Sequence, residues 1–190
     1  MAGKSSIPPK SALLIVDWQK FFVAPSSKAF VRGSERTAPM IGRVFSLFLS
    51  SGAPVLASVH AGDNDPADPF FRFYGKSVGK GDPLASLADP LHAAEGVCVF
   101  EKNTYSVFEN GHFMRKITGL QIRRFYIAGL QTDKCVLANA FAAFDRGFAV
   151  SVLKDCVASR DPVRHSAALD IIGKCCAEVV DSGSLGNEPK

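Results

Sequence analysis

The sequence predicts a doubly wound α/β domain: a mainly parallel six-stranded sheet with helices on both faces, in a Rossmann-like arrangement. Short runs rich in Val, Leu and Ile recur along the chain, helix-like segments separate them, and glycine or charged residues close them. That alternation is the mark of βαβ units, whose strands are buried on both faces and so read as continuous apolar runs. With 190 residues the chain can bury one sizeable core and is short for two, so residues 1–190 are read as a single domain.

The first strand is expected over Ala12 to Val16, ending at Asp17, and the second over Pro54 to Val59, ending at His60. A third run, Val97 to Phe100, precedes Glu101 and Lys102; a fourth, Arg124 to Ala128, ends at Gly129. The last two are Phe148 to Leu153 and Ala177 to Val180. Between the first two strands, Ile41, Val44, Phe45 and Phe48 stand at helical spacing, and Gly52 suits the helix C-terminus. Further helices are expected over Cys135 to Asp145, over Pro162 to Lys174 and, shorter, over Phe113 to Leu120. Residues 61–83 are rich in proline, glycine, charge and aromatic rings and predict a long ordered loop. Such loops inside compact domains are usually functional, so part of a substrate pocket is expected there.

Composition excludes several function classes. The net charge of +4 arises from 22 basic and 18 acidic residues scattered along the chain, with no basic stripe to suggest a nucleic-acid partner. No apolar stretch reaches membrane-spanning length, so no membrane partner is expected. The first residues do not read as a secretory signal, and a cytoplasmic location is the expectation. A reducing compartment disfavours a disulfide framework, and the five cysteines are therefore read one by one. Gly75-Lys76-Ser77 resembles the end of a phosphate-binding loop, but Phe70 stands where that loop needs glycine. No glycine-rich turn follows the first strand, so the dinucleotide fingerprint is missing as well.

The strongest local signal is IAGLQTDKCVLANAFAAF, where a strand ends at Gly129 and a helix begins near Cys135. A sharp strand-to-helix turn presents its side chain at the carboxyl edge of the sheet, beside unpaired helix amides that can lower a thiol pKa and hold an oxyanion. Taken singly, Cys135 fits an inert helix cysteine equally well, Asp17 a turn-capping carboxylate and Lys102 a solvated strand-end lysine. Taken together, a carboxylate, an ammonium and a thiol at the ends of strands one, three and four would converge at one crevice. Cys135 is then expected to be the first thiol to react with an alkylating reagent. Substitutions in the trio should lower turnover with little effect on folding.

LLIVDWQKFF around Asp17, FEKNTYSVF around Lys102 and AGLQTDKCVLANA around Cys135, in that order, resemble the isochorismatase-like cysteine hydrolases. These include nicotinamidases, N-carbamoylsarcosine amidohydrolases and ureidoacrylate hydrolases. The resemblance covers nearly the whole chain and implies an Asp17–Lys102–Cys135 triad, a cis peptide before Gln131, and an oxyanion hole built from the amides of Gln131 and Cys135. It implies a small-molecule substrate and a homo-oligomer. Nicotinamidases of the family carry an Asp-x-His metal motif after the second strand, and here the matching stretch reads His60-Ala61-Gly62. That departure favours a metal-free branch, with no metal or other cofactor, hydrolysing a small amide or ureido compound through a thioester.

Two alternatives stand beside this reading. One is isochorismatase-type cleavage of a vinyl ether with release of pyruvate; the other is a non-catalytic or thiol-redox scaffold using Cys135 with Cys156 or with the adjacent Cys175 and Cys176. Trp18, Phe22, His60, Arg72, Tyr74, Tyr105 and Phe108 lie near the motifs and are candidate substrate-binding residues, although aromatic residues are usually core. His92, His112 and His165 read as surface residues. Cys98, Cys175 and Cys176 read as packing residues, and Cys156 as following the fifth strand.

Overall fold

The computed structural model describes residues 7–62, 66–67, 69–75, 77–92 and 94–185. Six strands form one sheet: β1 Ser11–Val16, β2 Val55–His60, β3 Val97–Lys102, β4 Arg124–Leu130, β5 Ala149–Ala158 and β6 Glu178–Val180. Their order is β3-β2-β1-β4-β5-β6, and every neighbouring pair is parallel. The helices are α1 Lys20–Val23, α2 Ser34–Ser51, α3 Pro69–Tyr74, α4 Gly111–Gly119, α5 Leu137–Asp145 and α6 Pro162–Cys175.

Strand alternation divides the core in two. Leu13 and Ile15 of β1 point into a layer with Ile41, Val44, Phe45 and Phe48 of α2. Ala12, Leu14 and Val16 point the other way, toward Phe113 and Ile117 of α4, Ala140 of α5 and Ile172 of α6. All six residues of β1 are buried, as a central strand covered on both faces requires. The chain leaves β1 in one direction and returns through β4 in the other, so the sheet has its topological switch point between these strands. Open α/β sheets form their ligand crevice at the carboxyl ends beside such a point.

Gly129 lets the two switch-point strands approach. Its φ is +110°, and an added Cβ would lie 2.1 Å from the Val16 carbonyl oxygen, so only glycine fits beside β1 here.

Beyond small shifts at strand ends, such as β3 running on to Lys102 and β4 to Leu130, three differences from expectation stand out. β5 continues to Ala158 past the polar pair Lys154 and Asp155, with a register shift opposite Ile127 and Gly129. Cys156 therefore lies within the strand, in the core on the α2 side, rather than after it. The Asp155 carboxylate explains the polar interruption, because it accepts hydrogen bonds from the Ser182 amide at 2.8 Å and the Ser182 hydroxyl at 2.5 Å, fastening the segment after β6. The second difference is that the 61–83 segment contains α3 rather than loop alone. Its aromatic residues drive the turn of helix: Phe70 packs on His60, Tyr74 and Tyr105. The third is a π-helical turn, Thr132–Val136, in which the Val136 amide reaches back to the Gln131 carbonyl before α5 begins. Cys175, expected to pack, is exposed, whereas Cys176 is buried.

Candidate active site

The carboxyl ends of β1, β3 and β4 bring Asp17, Lys102 and Cys135 together. Asp17 follows β1 directly and adopts a left-handed backbone, φ +49°, which Asp tolerates better than most residues. That bend turns its carboxylate across the sheet end. Ser58 of β2 holds it there: the Asp17 amide donates to the Ser58 carbonyl at 3.0 Å, and the Ser58 hydroxyl donates to Asp17 Oδ1 at 2.7 Å.

Lys102 is not a solvated strand-end lysine. Its Nζ donates to Asp17 Oδ2 at 2.8 Å, to the Thr104 carbonyl at 3.0 Å and to Cys135 Sγ at 3.6 Å, so all three ammonium protons have an acceptor. The side chains of Lys102 and Asp17 are only 2% and 1% exposed. Burial disfavours the ammonium, but the Asp17 carboxylate, with the Cys135 sulfur beside it, outweighs this and raises the Lys102 pKa.

Cys135 sits in the π turn, buried and against the aliphatic core on the α5 side. Burial first, and then the Asp17 carboxylate, push its thiol far above the usual range; Lys102 opposes this and does not overcome it. This raised pKa weighs against the expectation that Cys135 reacts first with an alkylating reagent, and Cys175 is exposed. The peptide between Leu130 and Gln131 is cis, as the resemblance implied. Gln131 opens the turn, and its carbonyl accepts from the Lys134 amide at 3.0 Å.

Two buried amides hold the strand ends and were not singled out from sequence. Gln19 Nε2 donates to the carbonyls of His60 and Ala85, both at 2.9 Å, and Gln19 Oε1 accepts from the His60 amide at 2.7 Å. Asn139 Nδ2 donates to the carbonyls of Cys135 and Tyr105, and Asn139 Oδ1 accepts from the Val107 amide. Asn139 thus locks the loop after Lys102 onto the turn that carries Cys135. The sequence carries one signal for it, a polar residue one helical turn after Cys135 among alanines and phenylalanines.

Asp17, Gln131 and Cys135 open into a cavity of about 170 Å³, below the range of drug-sized pockets. Phe22, His60, Tyr74 and Tyr105 line it, and so do Phe21, Phe70, Ser77, Lys134 and Arg160, which sequence reading missed. His60 Nε2 lies 3.0 Å from Ser77 Oγ, and the Tyr74 and Tyr105 hydroxyls are 2.8 Å apart. Trp18, Phe108 and Arg72 do not line it. Trp18 is core, its indole N–H donating to the Asp89 carbonyl at 2.8 Å; Phe108 packs among Phe113 and Phe125; Arg72 is exposed on α3. Large rings within two residues of a motif can reach either side of a strand end, and only packing decides which. Two more open grooves of about 720 and 600 Å³ flank the edge strand β3, but neither contains Asp17 or Cys135.

His92 and His112 are exposed, as expected. His165 is not a simple surface residue: half-buried on α6, it lies 2.9 Å from the buried Thr132 hydroxyl, and burial lowers its pKa. Among the described residues no three His, Cys, Asp or Glu side chains gather as a metal site; residues 63–65, next to the His60-Ala61-Gly62 stretch, lie outside that set. Of the cavity's potential donors, Asp17 and Cys135 are engaged with Lys102 and His60 with Ser77, so the described residues supply no metal cradle.

The class of protein that this fold and crevice define emerges from comparison with known proteins. The model of the Isochorismatase domain matches residues 11–184, and the chain belongs to that family. It is 31% identical over 169 residues to the isochorismatase family protein PncA of Bacillus subtilis, covering 84% of this chain and 92% of that one. The crystal structure of nicotinamidase PncA from Bacillus subtilis superposes with a TM-score of 0.84 at 27% identity, covering 90% of this chain and 99% of the other. That of N-carbamoylsarcosine amidase from Thermoplasma acidophilum does so with 0.79 at 28% identity, covering 90% and 96%.

Proposed function

We propose that the protein hydrolyses a small amide or ureido compound through a thioester on Cys135, with Asp17 as the proton carrier and Lys102 as the shared cation. One observation carries this reading: a single buried ammonium touches both the carboxylate and the sulfur, at 2.8 and 3.6 Å. In the site before reaction, Asp17 pairs with Lys102, and burial favours the neutral thiol of Cys135. When Asp17 takes the thiol proton the charge moves to sulfur, and Lys102 is already in contact with its new position. The transfer therefore needs no rearrangement of the buried cation.

The thiolate attacks the substrate carbonyl, and the amides of Gln131 and Cys135 hold the oxyanion. Asp17 then gives its proton to the leaving nitrogen, and the C–N bond breaks to leave the thioester. Water, deprotonated by the same carboxylate, attacks the thioester; the acid leaves and Cys135 regains its proton. Nicotinamidase and N-carbamoylsarcosine amidase, the named activities of two structural relatives, both belong to proteins that cleave amide-type C–N bonds, which supports this class over vinyl ether cleavage.

A panel of small amides and ureido acids assayed for ammonia, with isochorismate assayed for pyruvate, tests the proposal. Ammonia release that disappears in Cys135→Ala, together with an acyl adduct on the Cys135 peptide by mass spectrometry, is expected. Pyruvate release that survives Cys135→Ala would overturn it.

A further inference from the structure

His165 is a half-buried ionisable group that the proposed chemistry does not use. It lies one turn before Ala168 and two before Ile172, the residues that α6 buries, so it faces the protein interior. Its Nδ1 is 2.9 Å from the hydroxyl of Thr132, which is fully buried. Burial lowers the His165 pKa and the Asp133 carboxylate opposes this, so the ring is neutral at neutral pH. A neutral imidazole keeps one nitrogen free of hydrogen, and the Thr132 hydroxyl can donate to it at Nδ1 with no charge placed in the interior.

Thr132 stands directly after Gln131, whose amide is assigned to the oxyanion hole, and opens the π turn that contains Cys135. Gln131 gives this turn no side-chain cap. Other ties hold it down. Gln131 Oε1 accepts from the Arg160 amide at 3.4 Å, the Asp133 amide donates to the Ser159 hydroxyl at 3.2 Å, and that hydroxyl donates to Asp133 Oδ1 at 2.6 Å. Ser159 and Arg160 both follow β5, so these ties pin the turn along one side. A turn pinned along one side can still pivot about it. The bond from Thr132 to α6 adds an anchor on a different element and removes that freedom.

We propose that His165 is a positioning residue: through Thr132 it fixes the Gln131 amide where the oxyanion forms. This rests on the hydrolase reading of the site. Neither His165 nor Thr132 lines the cavity, so their effect reaches the reaction through the turn and not through contact with substrate. The oxyanion exists only after attack, and the effect therefore falls on the chemical step rather than on binding. Displacing such a donor by about 1 Å costs on the order of a hundredfold in rate.

The probe is 4-nitrophenyl acetate. Asp17 takes the thiol proton, Cys135 Sγ attacks the carbonyl, the ester C–O bond breaks, 4-nitrophenolate leaves and the acetyl group stays on sulfur as a thioester. His165→Ala and Thr132→Val should each slow acetylation about 10- to 100-fold, with the half-saturating concentration changed by less than about twofold. The double variant should be no slower than the slower single one, because both changes remove the same bond. His165→Asn keeps a hydrogen-bonding atom near the place of Nδ1 and should stay within about threefold of the parent. Thr132→Val keeps the β-branched shape and removes only the hydroxyl, so the measurement survives a His165→Ala variant that fails to fold. Hydrogen exchange at the amides of residues 131–136 in the folded chain should quicken in the Ala and Val variants and stay parental in His165→Asn. Folded variants that acetylate Cys135 at the parental rate, or a His165→Asn as slow as His165→Ala, would overturn the positioning role and leave the hydrolase reading standing. A parent whose Cys135 takes no acetyl group would overturn the hydrolase reading; quickened exchange in the two variants would then still uphold the tether, and unchanged exchange would overturn that too.

Discussion

Lys102→Met separates the two roles of the buried cation. The substitution keeps the aliphatic stem and removes three donors, leaving the Asp17 carboxylate 1% exposed, with the Ser58 hydroxyl and the Cys135 thiol beside it and its paired cation gone. Removing one partner of a buried pair costs about 3–5 kcal/mol, because the other charge stays behind unpaired. In a chain of this size each kcal/mol moves Tm by about 2–4 °C, so the variant should melt roughly 6–20 °C lower at neutral pH. The burial of this pair weighs against the expectation from sequence that changes in the trio leave the fold little changed, and the melts decide between them. Asp17→Asn tolerates the left-handed φ of +49° and leaves no orphaned anion, and the double variant Asp17→Asn with Lys102→Met should recover more than half of the lost stability. Turnover per folded molecule should fall on the order of a thousandfold in both single variants and in the double one, since members of a catalytic unit do not act additively. Calorimetric melts beside initial rates provide the assay. Lys102→Met melting within about 2 °C of the parent, or a double variant as unstable as the single losses summed, would refute the reasoning.

Gly129→Ala should prevent folding or cost more than about 4 kcal/mol in urea melts, since its Cβ would lie 2.1 Å from the Val16 carbonyl oxygen; Gly52→Ala, at φ +72° with no atom within 4 Å, should cost only about 1–2 kcal/mol. Stability should decline as pH rises above about 9. The folded thiols of Cys135, Cys156 and Cys176 are raised from 9.0, the latter two to about 12 and 11, so the unfolded chain ionises first. Lys102 acts in the same direction: its raised pKa gives stability that is full below 10.5 and lost as pH climbs through the folded value. A Tm flat from about pH 8 to 10.5, or one whose decline is unchanged in Cys135→Ala, would contradict this. Ser58→Ala removes the 2.7 Å bond to Asp17 Oδ1 and should cost about 1–2 kcal/mol and lower kcat about tenfold or more, with KM little changed; an unaffected kcat would show that the carboxylate needs no such support.

The sequence by itself determined the strand order of events: six apolar runs, each ending in a polar or glycine residue, with helical spacing between them. Strands buried on both faces must be apolar throughout, so they are visible without any knowledge of their neighbours. The chemistry at the strand ends was equally legible, because Asp17, Lys102 and Cys135 each interrupt or follow such a run. Tertiary structure alone decided what those residues touch. Lys102 and Asp17 are 85 residues apart, and no local pattern states that one ammonium will reach both a carboxylate and a thiol. The same holds for Ser58, Gln19 and Asn139, ordinary polar residues whose roles exist only once the strand ends are adjacent. It holds for Trp18 and Phe108 too, which sequence placed near the site and packing placed in the core. Burial raises the Cys135 pKa, against the lowering that its position on the turn alone suggested. Apolar pattern is a property of consecutive residues, whereas desolvation and charge pairing are properties of whatever the fold brings within a few ångströms, and so they appear only in three dimensions.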